Sequence, residues 1–312
     1  MTKKSIRSIL AVVLIISLLF QQVSVSAQGG NNTVSPQTGH SSAYDYLQYD
    51  AGSAGTLYVN QYTTKPHVRR SDLTLGGNRM PVEIEFWYDE ENLNNDLTAP
   101  ANPYGYGWMT SYNQLLEYHS ADDQYAYRDA NGTWIYFEDS GEVTEDNARI
   151  WTETASAEES LTGAELYLEE DALYTDYTAV TIRQNDHSRT FDASGRLHSV
   201  SDDYGNTLAI TYANQTGPAI SMITDGVGRR YVFSYSNGWL SRIACQDGSG
   251  NPIMVENTEI AVTYTIASGY LIRTSLWGEY SYDSSRRITA LWGIGGIGYS
   301  LSYNGNDVLP QN

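Results

Sequence analysis

The chain has 312 residues, enough for two ordinary domains or one long β domain. Its 18 Lys and Arg against 37 Asp and Glu give a formal net charge of −19, which argues against nucleic acid or an anionic membrane surface as the main partner, because both require a basic footprint. Tyr (26) and Gly (27) are abundant, Pro (8) is scarce and 41 % of residues are hydrophobic, so a packed, β-rich core is expected, while the one cysteine, Cys245, excludes an internal disulfide and a cysteine-based zinc site.

Residues 1–27 read as a secretory signal peptide. Lys3, Lys4 and Arg7 precede the apolar run Ile9 to Phe20, which only Ser17 interrupts, and Val25-Ser-Ala27 offers a cut before Gln28. The run is shorter than the roughly 20 residues a membrane-spanning helix needs, so no transmembrane anchor is expected. The protein should be secreted or held at the cell surface or wall, and the mature chain is more acidic still. Residues 28–55 are polar, Gly- and Ser-rich and poorly patterned, a flexible lead-in.

A β-rich region is expected over 56–190. In Met80 to Tyr88, Val82, Ile84, Phe86 and Tyr88 alternate with Glu83, Glu85 and Trp87, the two-residue period of a strand. Asp89 to Pro103 reads as a long loop, and Tyr104-Gly-Tyr-Gly-Trp108 leads into a strand ending near Tyr118. Tyr125 to Tyr127 and Thr133 to Phe137 flank the turn Asp129-Ala-Asn-Gly132, a hairpin pattern. Residues 138–176 are the most acidic stretch, with Arg149 its one base. They read as a solvated insertion, helical in part over Ala155 to Leu168.

From Phe191 the chain is self-similar. Leu197, Val200, Asp202, Gly205, Leu208, Ile210 and Tyr212 recur as Ile220, Ile223, Asp225, Gly228, Tyr231, Phe233 and Tyr235. A third unit runs from Gly238 through Asp247 and Gly250-Asn251, with an insertion before Ile260. A fourth begins at Gly269, and a fifth carries Tyr282-Asp283 and Arg287-Ile288. Each unit is a strand, a turn built on Asp and Gly, and a second strand with alternating aromatics. One such hairpin cannot bury its apolar face alone, so the units are expected to pair edge to edge into an antiparallel, curved sheet.

These units resemble the RHS repeat, also called the YD repeat. The resemblance is carried by Gly195-Arg196-Leu197, Asp202, Gly205-Asn206 and Tyr212, by Asp225, Gly228 and Tyr235, and by Tyr282-Asp283 with Arg287. It covers about Phe191 to Asn304 clearly, within a repeat region taken as 191–312, and Tyr104 to Trp108 with Tyr112 is similar to the segment that precedes the repeats in such proteins. The resemblance implies an all-β fold of hairpin repeats that spiral into a shell enclosing a C-terminal toxin or effector domain, in intercellular competition. This array stops in mid-repeat at Asn312, so the chain is expected to be the N-terminal part of a longer shell protein. The alternative is a stand-alone cell-surface module for carbohydrates or proteins.

Catalysis is not expected in this region. His40, His67, His119, His187 and His198 form no close metal-ligand pair. Asp186-His187-Ser188 lacks the strained turn of a nucleophilic serine. Gly293-Ile-Gly-Gly-Ile-Gly298 matches the dinucleotide pattern, but an alternating strand follows it where that fold needs a helix, so it reads as a glycine-rich loop. No cofactor is expected. The turns Asp129 to Gly132 and Asp247 to Asn251 supply oxygens for weak calcium binding at most, without the EF-hand spacing.

Overall fold

The computed structural model describes residues 45–311 apart from 78, 94–101, 146–147, 155–163, 169–179, 185, 216 and 305–306. The signal peptide, His40 and most of the lead-in lie outside the described residues. All regular structure is antiparallel β, apart from single turns of 3-10 helix such as Gly52–Ala54 and Ile294–Gly296.

The first five strands are β1 (Tyr46–Asp50), β2 (Thr56–Asn60), β3 (Pro66–Thr74), β4 (Glu83–Asp89) and β5 (Trp108–Thr110), paired in sequence order as one sheet. Strand structure therefore begins inside the segment read as a lead-in, since Tyr46–Asp50 pairs with β2. In β4 the alternation holds: Val82, Ile84, Phe86 and Tyr88 are buried, and Trp87 on the other face is buried as well. At its centre this sheet is covered on both faces, whereas Leu47, Arg69, Ser71 and Glu83 remain exposed towards its edge and ends.

The second sheet runs on with β6 (Leu115–His119), β7 (Gln124–Arg128), β8 (Trp134–Val143), β9 (Arg149–Glu153), β10 (Glu165–Leu168), β11 (Val180–Gln184) and β12 (His187–Phe191). The stretch expected as an acidic insertion thus supplies strands. Trp151 and Leu166 are buried, and Glu165–Leu168 is extended, not helical. Alternate apolar residues there outweigh the surrounding charge, because a strand needs only one buried face. Residues 155–163, the rest of the expected helix, lie outside the described residues.

The repeats continue this sheet as β13 (Leu197–Asp202), β14 (Thr207–Tyr212), β15 (Ile220–Thr224), β16 (Arg230–Ser236) and β17 (Trp239–Gln246). A small hairpin of β18 (Met254–Val255) and β19 (Thr258–Glu259) fills the insertion. The sheet resumes with β20 (Ala261–Ala267), β21 (Tyr270–Thr274), β22 (Glu279–Tyr282), β23 (Ile288–Trp292), β24 (Gly298–Asn304) and β25 (Asp307–Gln311). From β6 onward each strand pairs with its predecessor, β17 pairing with β20 across the insertion.

Curvature has an identifiable cause. The register slips just before Phe191, Tyr212, Tyr235, Ile266 and Tyr282, a bulge at the same place in successive hairpins. Bulges bend and over-twist the strand that carries them. The sheet curls far enough for Leu115, at the start of β6, to bridge Arg196 at the turn before β13. The β1–β5 sheet packs against the repeats: Phe86 touches Tyr264, and Trp108 touches Tyr280, at ring centroid distances of 5.6 and 5.0 Å.

Four of the hairpins are also closed at their open ends. Tyr212 donates its hydroxyl to the Leu197 carbonyl (2.8 Å), Tyr235 to Ile220 (2.6 Å), Tyr282 to Leu271 (3.0 Å) and Tyr303 to Ile288 (2.7 Å). The signature tyrosine is thus a clasp across the mouth of its own hairpin, and its ring fills the core.

Gly195 and Gly205 hold equivalent turn positions at φ +73° and +80°. A Cβ at 195 would overlap the Leu116 carbonyl oxygen, whereas nothing lies within 4 Å of one at 205. Gly205→Ala should therefore cost about 1–2 kcal/mol, the penalty of a left-handed backbone. Gly195→Ala should cost roughly 1–3 kcal/mol more from overlap. Urea unfolding of the two variants checks this; equal midpoints would refute the close approach of β6 to the repeats.

Candidate functional site

The repeat-signature residues converge on one recurring device. In the turns beginning at Asp192, Asp202, Asp225, Asp247 and Asp283, the carboxylate Oδ1 accepts backbone N–H groups two and four residues on, at 2.8–3.0 Å. The second oxygen takes the side chain four residues on. That partner is Arg196, Arg229 or Arg287 in three turns and Asn206 or Asn251 in the other two. The Asp side chain thus stands in for a missing strand partner and pins the turn. Donation from Asn206 and Asn251 holds Asp202 and Asp247 below the usual carboxylate range, and backbone N–H groups add to it. Their contribution is complete above the ordinary carboxylate pKa and fades as pH falls below it. Arg196 and Arg287 also lie over the rings of Tyr212 and Tyr303, at 4.1 and 4.0 Å, linking turn to clasp. The Asp192–Arg196 member was not singled out in the sequence, although Asp followed four on by Arg or Asn is common to the set, with Gly three on in every turn but that of Asp283.

A buried ionic cluster joins the two sheets. Arg70 and Asp72 are two apart on β3, so they share a face. Arg70 Nε and Nη2 donate to the two Asp72 oxygens at 2.5 and 3.0 Å, and Nη1 donates to the Tyr280 hydroxyl at 3.1 Å. Tyr264 donates to Asp72 at 2.7 Å, and Tyr280 to the Ala54 carbonyl at 2.7 Å. The guanidinium lies 4.8 Å from the Trp108 ring centre and 5.0 Å from that of Phe86. Burial alone would lower the Arg70 pKa; the adjacent Asp72 charge outweighs it and holds the group well above its usual value. Burial pushes the Tyr264 and Tyr280 hydroxyls up, so both remain donors. Every strong donor and acceptor here is engaged within the protein, so the cluster is a fastening with no open coordination for a ligand. Sequence reading missed it, since the one available signal was a charged pair inside an apolar alternation.

Consecutive antiparallel strands place alternate turns at opposite ends of the sheet, giving two rims. Along one rim, Tyr88 and residues 103–116 hydrogen-bond successive turns. Leu116 N–H donates to Gly195, Asn113 Nδ2 to Pro218 and Tyr106 N–H to Gly269, while Leu240 N–H donates to Pro103. Tyr104 and Tyr88 repeat one pattern: each hydroxyl accepts the N–H that opens a strand, Ile220 or Ile288, and donates to a carbonyl two residues earlier. Tyr104-Gly-Tyr-Gly-Trp108 is thus a seam, and Gly105 passes within contact distance of Leu271.

Among the described residues, no group of three His, Cys, Asp or Glu side chains is placed to hold a metal. His67 lies 3.6 Å from Asp89, both buried, and His119 lies 3.5 Å from Glu117 near the surface. The Asp129 turn uses its Oδ1 on its own backbone, at Asn131 and Thr133. Gly293 to Gly298 is a one-turn loop between β23 and β24. Among the described residues, no helix is long and apolar enough to cross a membrane. No protein-family model matches the chain, and no curated protein matches it in sequence.

Arg70→Met should lower stability by about 3–5 kcal/mol, because it leaves Asp72 buried without its partner charge. Urea unfolding measures this, and a loss under 1 kcal/mol would show the pair to be dispensable. Cys245, on β17 opposite Tyr231, is fully buried and its thiol is pushed up by burial to about 11. A disulfide reagent at mildly alkaline pH should therefore label it only at the rate of unfolding. Rapid native labelling would contradict the packing of β16 on β17.

Proposed function

We propose that this chain is the N-terminal part of an exported RHS-type shell that scaffolds, encapsulates or delivers a C-terminal toxin or effector. The observation that carries the reading is the repeated hairpin: Asp-pinned turn, bulge, and a tyrosine clasp to the strand that opens the same unit. Such units extend a curved wall by addition, as a shell requires. The described polar clusters are engaged in holding the wall together, which fits a structural role and assigns no catalysis to this region. The β1–β5 sheet then serves as a plug lining the wall from within. Export rests on the signal-peptide pattern of residues 1–27.

The second reading is a stand-alone surface module for carbohydrates or proteins. Its support is the exposure of Trp277 (69 %) and Trp292 (36 %), since indole faces suit sugar rings.

One experiment separates the two. The protein, tagged in its source cell, is recovered from the medium, sequenced from its N-terminus and digested with protease. A product starting at Gln28 that shields a bound or covalently linked effector supports the shell. A secreted product that shields nothing overturns it, and saturable glycan-array binding by that product would then establish the module.

A further inference from the structure

The two rims of the repeat sheet differ. One is sealed by Tyr88 and residues 103–116. The other consists of the turns 202–206, 225–229, 274–278 and 293–297 and the β18–β19 hairpin. Among the described residues, the cover here comes from two short segments: Leu75, Gly76 and Arg79 lie against the 225–229 turn, and Ala51 to Ala54 lie against Gly278 and Gly293, with Ser53 Oγ accepting from Ile294 N–H. Among the described residues of the repeats, the exposed large apolar side chains other than Ile272 fall on this rim, among them Tyr204 (90 %), Trp277, Ile294 (60 %) and Ile297 (55 %).

Trp277 is the most telling of these. It occupies the turn position that glycine holds at 195, 205, 228 and 250, with φ +69°. A bulky residue there is strained. Arg286, the other exception, compensates by lying 4.1 Å over the Tyr106 ring on the sealed rim. Trp277 has no such packing and stays largely in solvent. A local rule broken without a folding gain marks a functional position.

The two rims also differ in how many of their turn aspartates are neutralised. On the sealed rim both Asp-pinned turns of the repeats close on arginine, Asp192 with Arg196 and Asp283 with Arg287. On the open rim Asp225 likewise closes on Arg229, but Asp202 and Asp247 close on neutral Asn206 and Asn251, and both carboxyls are held ionised. Asp203, Glu256 and Glu279 add exposed carboxylates, five in all with Asp202 and Asp247, against the three bases Arg79, Arg230 and Arg273 that no turn aspartate neutralises.

We infer that the open rim is a docking surface for a polypeptide that presents apolar side chains flanked by lysine or arginine. The apolar turns supply the contact area, and the uncompensated carboxylates select the basic partner and steer its approach. A second copy of this chain is disfavoured, because two such acidic rims repel. The inference does not depend on the shell reading, since a surface module would use the same rim.

The test is a fluorescence-anisotropy titration of the full chain with a labelled amphipathic Lys/Leu peptide and its Glu/Leu analogue. The Lys/Leu peptide should bind saturably and more weakly as salt rises; the analogue should not bind. Asn206→Arg with Asn251→Arg imports the pairing of the sealed rim, so the turns should stay pinned while affinity falls about tenfold at low salt. Trp277→Asn with Ile294→Ser should weaken binding independently, since asparagine tolerates the left-handed backbone. Glu142→Gln with Glu145→Gln, away from the rim, should change nothing. Equal binding of both peptides, no binding, or an equal loss from the Glu142 and Glu145 changes overturns the inference.

Discussion

The Arg70–Asp72 pair is the contact on which the relation between the two sheets depends. Its net contribution to stability is small by the general rule for buried ion pairs, because desolvation cancels most of the attraction. Its contribution to specificity is larger. An apolar sheet can slide against another apolar sheet at little cost, but this guanidinium has donors that fit only where Asp72 and the Tyr280 hydroxyl meet it. Once that register is set, Trp108 reaches the Tyr282 hydroxyl, and Tyr88 reaches the start of β23. The inner sheet is therefore keyed to the fourth and fifth repeats, and its seam to the earlier ones follows.

The repeats solve a different problem. A wide sheet needs curvature to bury one face, and hairpin ends must not fray. The bulge before each closing aromatic supplies bend, and the tyrosine hydroxyl ties the mouth at the same point. The aspartate pins the opposite end. Each device uses a side chain to satisfy backbone groups that the ladder leaves over, which explains why Asp, Gly and Tyr recur while the strand residues between them vary among Leu, Ile, Val and Phe.

Much of this was legible in the sequence. Alternation located β4 and the β7–β8 hairpin, and the repeat period fixed the hairpins from Leu197 onward. The turn role of Asp202, Asp225 and Asp247 followed from their shared position. Three things were not legible. Strand β1 hides in a polar segment because pairing with β2, not its own composition, stabilises it. The strands β9 and β10 hide in an acidic stretch because charge on the solvent face says nothing about the buried face. The Arg70 cluster unites residues some 200 positions apart, and no local pattern encodes such a meeting. The difference between the two rims likewise depends on which turns share an end, which only the strand order reveals.

The clasps have a kinetic side. Tyr212, Tyr235 and Tyr303 each reach back 15 residues, so a repeat completes itself from its own short segment. The inner sheet works the other way: its bonds to Tyr264 and Tyr280 span 192 to 226 residues. Local closures form fast and distant ones slowly. A chain threaded from its N-terminus delivers the inner sheet first and its partners nearly last. The wall is therefore built repeat by repeat while the inner strands wait, with Arg70 and Asp72 still in water, and the final docking step converts a row of edge-paired hairpins into one cooperative body.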